Sequence, residues 1–122
     1  ISRPVPDGVV LFKVNGALFF GAASKFQDAV RQIEKPVPVF ILRLREVIAI
    51  DATGIHALHD LLKKLERSGT TLLLTGLQPQ PRQALEKAGI LATIGTCNVC
   101  ENLDAALVRA ESLLAARSEA SS

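Results

Sequence analysis

The 122-residue chain carries 14 Lys and Arg against 12 Asp and Glu, a net charge of +2, with 48% hydrophobic, 21% charged and only 4% aromatic residues. That length suits one domain around one core, built here mainly from Leu, Val, Ile and Ala. Interspersed charges of both signs argue against a nucleic-acid partner, and no apolar run approaches the ~18 residues of a membrane-spanning helix.

The chain opens Ile1-Ser2-Arg3-Pro4, without Met and without a basic-then-apolar leader, so a piece cut from a longer protein is expected. Residues 1–8 form a turn-rich lead-in through Pro4-Val5-Pro6-Asp7-Gly8. Val9 to Val14 is β-branched and apolar apart from Lys13, and Asn15-Gly16 then separates it from Ala17-Leu18-Phe19-Phe20. Asn-Gly between apolar segments is the strongest short hairpin signal, which predicts an antiparallel pair at the start of the sheet. From Ala22 the period becomes helical, with Ala22, Phe26, Ala29, Val30 and Ile33 on one stripe, until Lys35-Pro36-Val37-Pro38 ends it. Val39-Phe40-Ile41-Leu42 is a continuous apolar run of strand length, the pattern of a strand covered on both faces, and is read as the central strand.

A second helix is predicted after Asp51, with Ile55, Leu58, Leu61, Leu62 and Leu65 inward, His56, His59, Lys63, Lys64 and Arg67 outward, and Gly69 as its stop. Thr70 to Thr75 reads as the next strand, Pro79 to Ala88 as a third helix closed by Gly89. Leu103, Ala106, Leu107, Ala110, Leu113 and Leu114 line one face of a fourth helix. Residues 9–116 therefore form one α/β domain and 117–122 a frayed tail. Its expected architecture is a mixed β-sheet, antiparallel in the opening hairpin and parallel where right-handed crossovers join later strands, flanked by about four α-helices.

Three segments in this order resemble the STAS family, shared by SulP anion transporters and bacterial anti-sigma-factor antagonists. They are Gly16-Ala17-Leu18-Phe19-Phe20-Gly21-Ala22-Ala23, Ile50-Asp51-Ala52-Thr53-Gly54-Ile55, and Leu73-Leu74-Thr75-Gly76-Leu77 running into the helix that ends at Gly89-Ile90. The likeness spans about Val9 to Leu114, and its Gly-x-Leu-Phe-Phe segment looks like the transporter branch. Many relatives resemble Asp-Ser-Ser-Gly where this chain has Asp51-Ala52-Thr53-Gly54, so Thr53 carries the segment's one hydroxyl. The resemblance implies a non-enzymatic regulatory and interaction domain on the cytoplasmic face of a SulP-type membrane transporter for sulfate-like anions. It implies no cofactor. The transmembrane core of the parent transporter is the expected partner, with other cytoplasmic proteins beside it. The rival reading is a free-standing anti-sigma-factor antagonist, whose family implies phosphorylation at the position of Thr53.

The candidate switch or interaction surface is Asp51, Thr53 and Gly54. Asp51 stands where an N-cap belongs and can accept from the N–H of Thr53 or Gly54, so capping alone accounts for it. A phosphate on Thr53 would be favoured by the helix N-terminus and opposed by the Asp51 carboxylate. Phe19 and Phe20, adjacent in a strand, point to opposite faces, and whichever lacks a covering helix is a candidate docking surface. His56 and His59 lack an obvious third metal ligand, and no metal site is assigned. Cys97-Asn98-Val99-Cys100 is a lone Cys-x-x-Cys before the last helix; reduced thiols in a reducing cytosol fit it. With no Gly-rich phosphate loop and no Gly-x-Ser-x-Gly elbow, no catalytic residue is assigned. A nucleotide would bind only weakly, as any anion does at a helix start.

Overall fold

The computed structural model describes residues 8–15 and 37–121, with side chains over 8–14 and 37–116. Strands β1 (Val9–Asn15), β2 (Val39–Glu46), β3 (Thr71–Thr75) and β4 (Val99–Cys100) form one sheet in the order β1-β2-β3-β4. Every pairing is parallel. The expectation of an antiparallel start is therefore corrected for the described sheet, in which β1 lies beside β2 in parallel. Asn15-Gly16 is a purely local signal, whereas the long interval before β2 supplies the dozen or more residues that a parallel crossover needs. The expected second hairpin arm, Ala17 to Phe20, and the helix read from Ala22 lie outside the described residues.

Register explains how one sheet feeds two cores. Val10, Phe40 and Leu72 share a row, as do Phe12, Leu42 and Leu74, while Val9, Val39 and Thr71 alternate with Leu11, Ile41 and Leu73 on the opposite face. The face of Phe40 and Leu42 is covered by α1 (Ala52–Arg67), α2 (Pro79–Lys87) and α3 (Ile90–Ile94), which contribute Leu58, Leu61, Leu62, Leu65, Leu85, Ile90 and Ile94 to one apolar cluster. The other face packs Val39, Ile41, Leu73 and Cys100 against Ala106, Leu107 and Ala110 of α4 (Leu103–Ser121). The four apolar residues read as the central strand, Val39 to Leu42, are all fully buried, as a strand with helices on both faces must be.

The helix stops follow from backbone chemistry. At the end of α1, Gly69 takes a left-handed φ of 73°, its N–H donating to the Glu66 carbonyl while the Thr70 N–H donates to the Leu65 carbonyl. This pair of bonds satisfies two of the carbonyls a helix end leaves open, and only glycine enters that φ without strain. Thr70 is buried beneath it, its hydroxyl donating to the Val37 carbonyl at 2.6 Å, which ties the start of β3 to the start of β2. α4 continues as helix through the residues assigned to the tail, as far as Ser121. The short α3 and β4 and the 3-10 turn Thr96–Asn98 have no counterpart in the sequence reading. Each is below the length at which a 3.6- or 2-residue period shows.

Leu73 is fully buried on the α4 side of β3. Leu73→Ala should cost about 2–5 kcal/mol, the usual loss for truncating a buried leucine. Urea unfolding measures it; a loss below about 1 kcal/mol would show that the α4 side adds little to the core.

Candidate functional site

At the end of β2 the chain turns tightly, the Val47 N–H donating to the Leu44 carbonyl at 3.0 Å. Val47 and Ile50 are buried, but Ile48 is 72% exposed. Two amide side chains of the α2 region fix this turn. Gln80 pairs with the backbone of Ile50 in both directions, Oε1 accepting from the Ile50 N–H at 2.8 Å and Nε2 donating to the Ile50 carbonyl at 3.2 Å. Gln78 Nε2 donates to the Arg45 carbonyl at 2.9 Å. An amide that carries both donor and acceptor copies the pairing a neighbouring strand would offer.

Asp51 then caps α1. Its backbone is extended, with φ −103° and ψ −177°, and its Oδ1 accepts from the Gly54 N–H at 2.9 Å while its carbonyl accepts from the Ile55 N–H. The choice left open by the sequence, Thr53 or Gly54, falls on Gly54. Thr53 is exposed in the first turn and Gly54 is buried, so the structure brings the three candidate residues together with the threonine hydroxyl outward. Phe19 and Phe20 lie outside the described residues; the exposed apolar side chain at this turn is Ile48.

His56 and His59 are both exposed, and His56 Nε2 lies 3.5 Å from the Asp60 carboxylate one turn on. Cys97 is exposed and Cys100 buried, both as free thiols. Burial raises the Cys100 thiol above its ordinary pKa, with Arg109 pulling weakly the other way. A raised thiol is less nucleophilic at neutral pH, so Cys100 is a poor attacking group. Thermal melts with and without a chelator should coincide; a drop in chelator would make these side chains metal ligands.

A second feature escaped the sequence reading. A cleft of about 760 Å³ opens at the carboxyl ends of β1, β2 and β3 beside the start of α4, lined among others by Lys13, Arg43, Arg45, Thr75, Gly76 and Gln78. Its signal was the alternation Leu42-Arg43-Leu44-Arg45, which puts two arginines on one face at the end of an otherwise apolar strand.

Asp51→Ala should destabilise the domain by about 1 kcal/mol, the usual loss of an N-cap, whereas Asp51→Asn, an equivalent cap, should stay close to wild type. Denaturant melts of both variants decide it; Asp51→Ala without effect would free the carboxylate for another role.

Residues 1–106 match the family model of the STAS domain. Among solved structures, the chain resembles a sulfate transporter family protein from Wolinella succinogenes, with 39% identity, a TM-score of 0.87 and 93% of each chain covered. It also resembles the STAS domain of a SulP transporter from Vibrio cholerae, at 30% identity and a TM-score of 0.80, covering 93% of this chain and 88% of that one. Over 96 residues it is 27% identical to the putative sulfate transporter YvdB of Bacillus subtilis (strain 168), a match that takes in 78% of this chain but only 18% of that protein. On the family match, the shared fold and these identities, the chain belongs to the STAS domain family, as a homologue of the STAS domains of SulP sulfate transporters.

Proposed function

We propose that this domain is the cytoplasmic regulatory and interaction module of a SulP-type transporter for sulfate-like anions, acting by contact with the transmembrane core and with other cytoplasmic proteins, without turnover of its own. The observation that carries this reading is the turn from Ile48 to Gly54. Its backbone is held by Gln80 and capped by Asp51, yet it leaves an apolar side chain at Ile48 and a hydroxyl at Thr53 facing outward. An ordered backbone presenting an exposed apolar residue beside a polar one loses little entropy when a partner docks. Among the described residues no helix is long and apolar enough to cross a membrane, so the membrane-spanning part of such a transporter would be other chain.

The free-standing antagonist reading is not favoured, because the Wolinella succinogenes and Vibrio cholerae structures, at 39% and 30% identity, are a sulfate transporter family protein and a SulP transporter domain. A nucleotide at the start of α1 has little support either. It would face the Asp51 carboxylate, which already takes the Gly54 N–H that a phosphate would use.

In the full-length protein, Thr53→Glu should change transport by placing charge and bulk at the contact, while Thr53→Ser should be nearly silent. Both should leave the melting temperature of the domain close to wild type, since an exposed first-turn position tolerates polar change. Transport assays in vesicles, read beside the melts, separate contact from folding. Unchanged transport by a stably folded Thr53→Glu variant would move the working surface elsewhere.

A further inference from the structure

We infer that the cleft at the carboxyl ends of β1, β2 and β3 is a binding site for a small dianion of the sulfate or phosphate class. The inference is independent of the transporter reading, since it rests on where the sheet places its cations.

Lys13 of β1 and Arg43 of β2 are register partners on adjacent strands, and Arg43 is in turn the partner of Thr75 on β3. The three side chains therefore form one row across the sheet, on the α4 side, directly after the apolar row Leu11, Ile41 and Leu73. Arg45, two residues further along β2, projects from the same face. Like charges on directly opposed positions of neighbouring strands destabilise a sheet, so a Lys–Arg pair in register is a cost unless something negative lies between them. Among the described residues none of Lys13, Arg43 and Arg45 forms an ion pair, although Glu101 and Asp104 line the same cleft. Among the described lining residues, three cations stand against two carboxylates, a positive balance.

The backbone that carries the arginines is also fixed. Gly76, at the end of β3, has a φ of +74°, and a Cβ there would come within 3.0 Å of Arg45 Cβ and 3.1 Å of Arg45 Cα. Any side chain at 76 would be strained and would push the Arg45 backbone away. From the other side Gln78 Nε2 holds the Arg45 carbonyl at 2.9 Å. Arg43 is held by strand pairing on both sides, to Lys13 and to Thr75. Two guanidinium forks carried on backbone positions fixed in this way favour a planar or tetrahedral oxyanion, which accepts paired N–H bonds, over a halide, which cannot. The start of α4 enters the cleft with its first turn capped by Asn102, whose Oδ1 accepts from the Ala105 N–H at 2.8 Å, and the positive end of that helix adds to the field of the cations. The cleft volume falls within the range of small-molecule sites.

Titrating the 122-residue chain with sulfate, phosphate and chloride at matched ionic strength, followed by amide NMR shifts and calorimetry, tests the assignment. Sulfate and phosphate should give saturable shifts at residues 75–78 and 102–105, and chloride should not. Arg43→Gln and Arg45→Gln should each weaken sulfate binding about tenfold or more, as loss of a charged hydrogen-bond donor does. Gly76→Ala should weaken it too, while Arg67→Gln on α1 should leave it unchanged. Phosphate should bind more tightly as pH rises through its conversion to the dianion, with sulfate affinity flat over the same range. Equal shifts with chloride, pH-independent phosphate affinity, or wild-type sulfate binding by a folded Arg43→Gln/Arg45→Gln double variant would each overturn the proposal.

Discussion

Burial of β2 on both faces is the constraint from which the rest of this domain follows. Val39, Phe40, Ile41, Leu42 and Leu44 are all fully buried, with alternate side chains feeding opposite clusters. A strand in that position needs a hydrogen-bonded neighbour along each edge and an apolar layer on each side, because its peptide groups and side chains alike are removed from water. β1 and β3 supply the edges; α1, α2 and α3 supply one layer and α4 the other. The offset-stacked rings of Phe12 and Phe40, 6.5 Å apart, show how closely the first edge is matched to the centre.

The same strand explains where polar chemistry can sit. Its apolar run gives way at Arg43, and the remaining residues to Glu46 carry charge or lead into the turn. Both surfaces of interest therefore lie at one end of the sheet, the carboxyl end, where side chains escape cover while the backbone behind them stays paired. This is the end at which open α/β sheets generally bind their ligands. The turn before α1 and the cleft beside α4 share one support, since Gln78 and Gln80 are two residues apart and hold the two sides of the β2 exit, Arg45 and Ile50.

Much of this was legible in the sequence because it is encoded in single residues with one physical meaning. The apolar run at Val39, the cap at Asp51, the left-handed stop at Gly69 and the leucine stripes of α1 and α4 each name their own structure. The parallel pairing of β1 was not legible, because Asn15-Gly16 reports local turn preference and strand direction is decided by what β1 packs beside. α3 and β4 are too short to carry a period. The clamp by Gln80 joins positions 30 apart in sequence and nothing local marks it. The cleft was missed for a related reason: Lys13, Arg43 and Arg45 are scattered along the chain, and only the register between strands makes neighbours of two of them.

The face that α4 covers is packed in part by very small side chains. Ala106 and Ala110, both fully buried, pack with Leu107 against Val39, Ile41 and Leu73. Alanine at both points lets the helix axis settle close to the sheet, so these positions act as spacers of minimum thickness. The helix is about 28 Å long at 1.5 Å per residue, and its packed side chains run from Leu103 to Leu114. It is thus a lever whose fulcrum includes two methyl groups. A bulkier side chain at either spacer would tilt the whole arm, moving the end near Ser121 through a larger arc than the fulcrum itself. What this domain presents at its far end is accordingly fixed by the smallest side chains in its core.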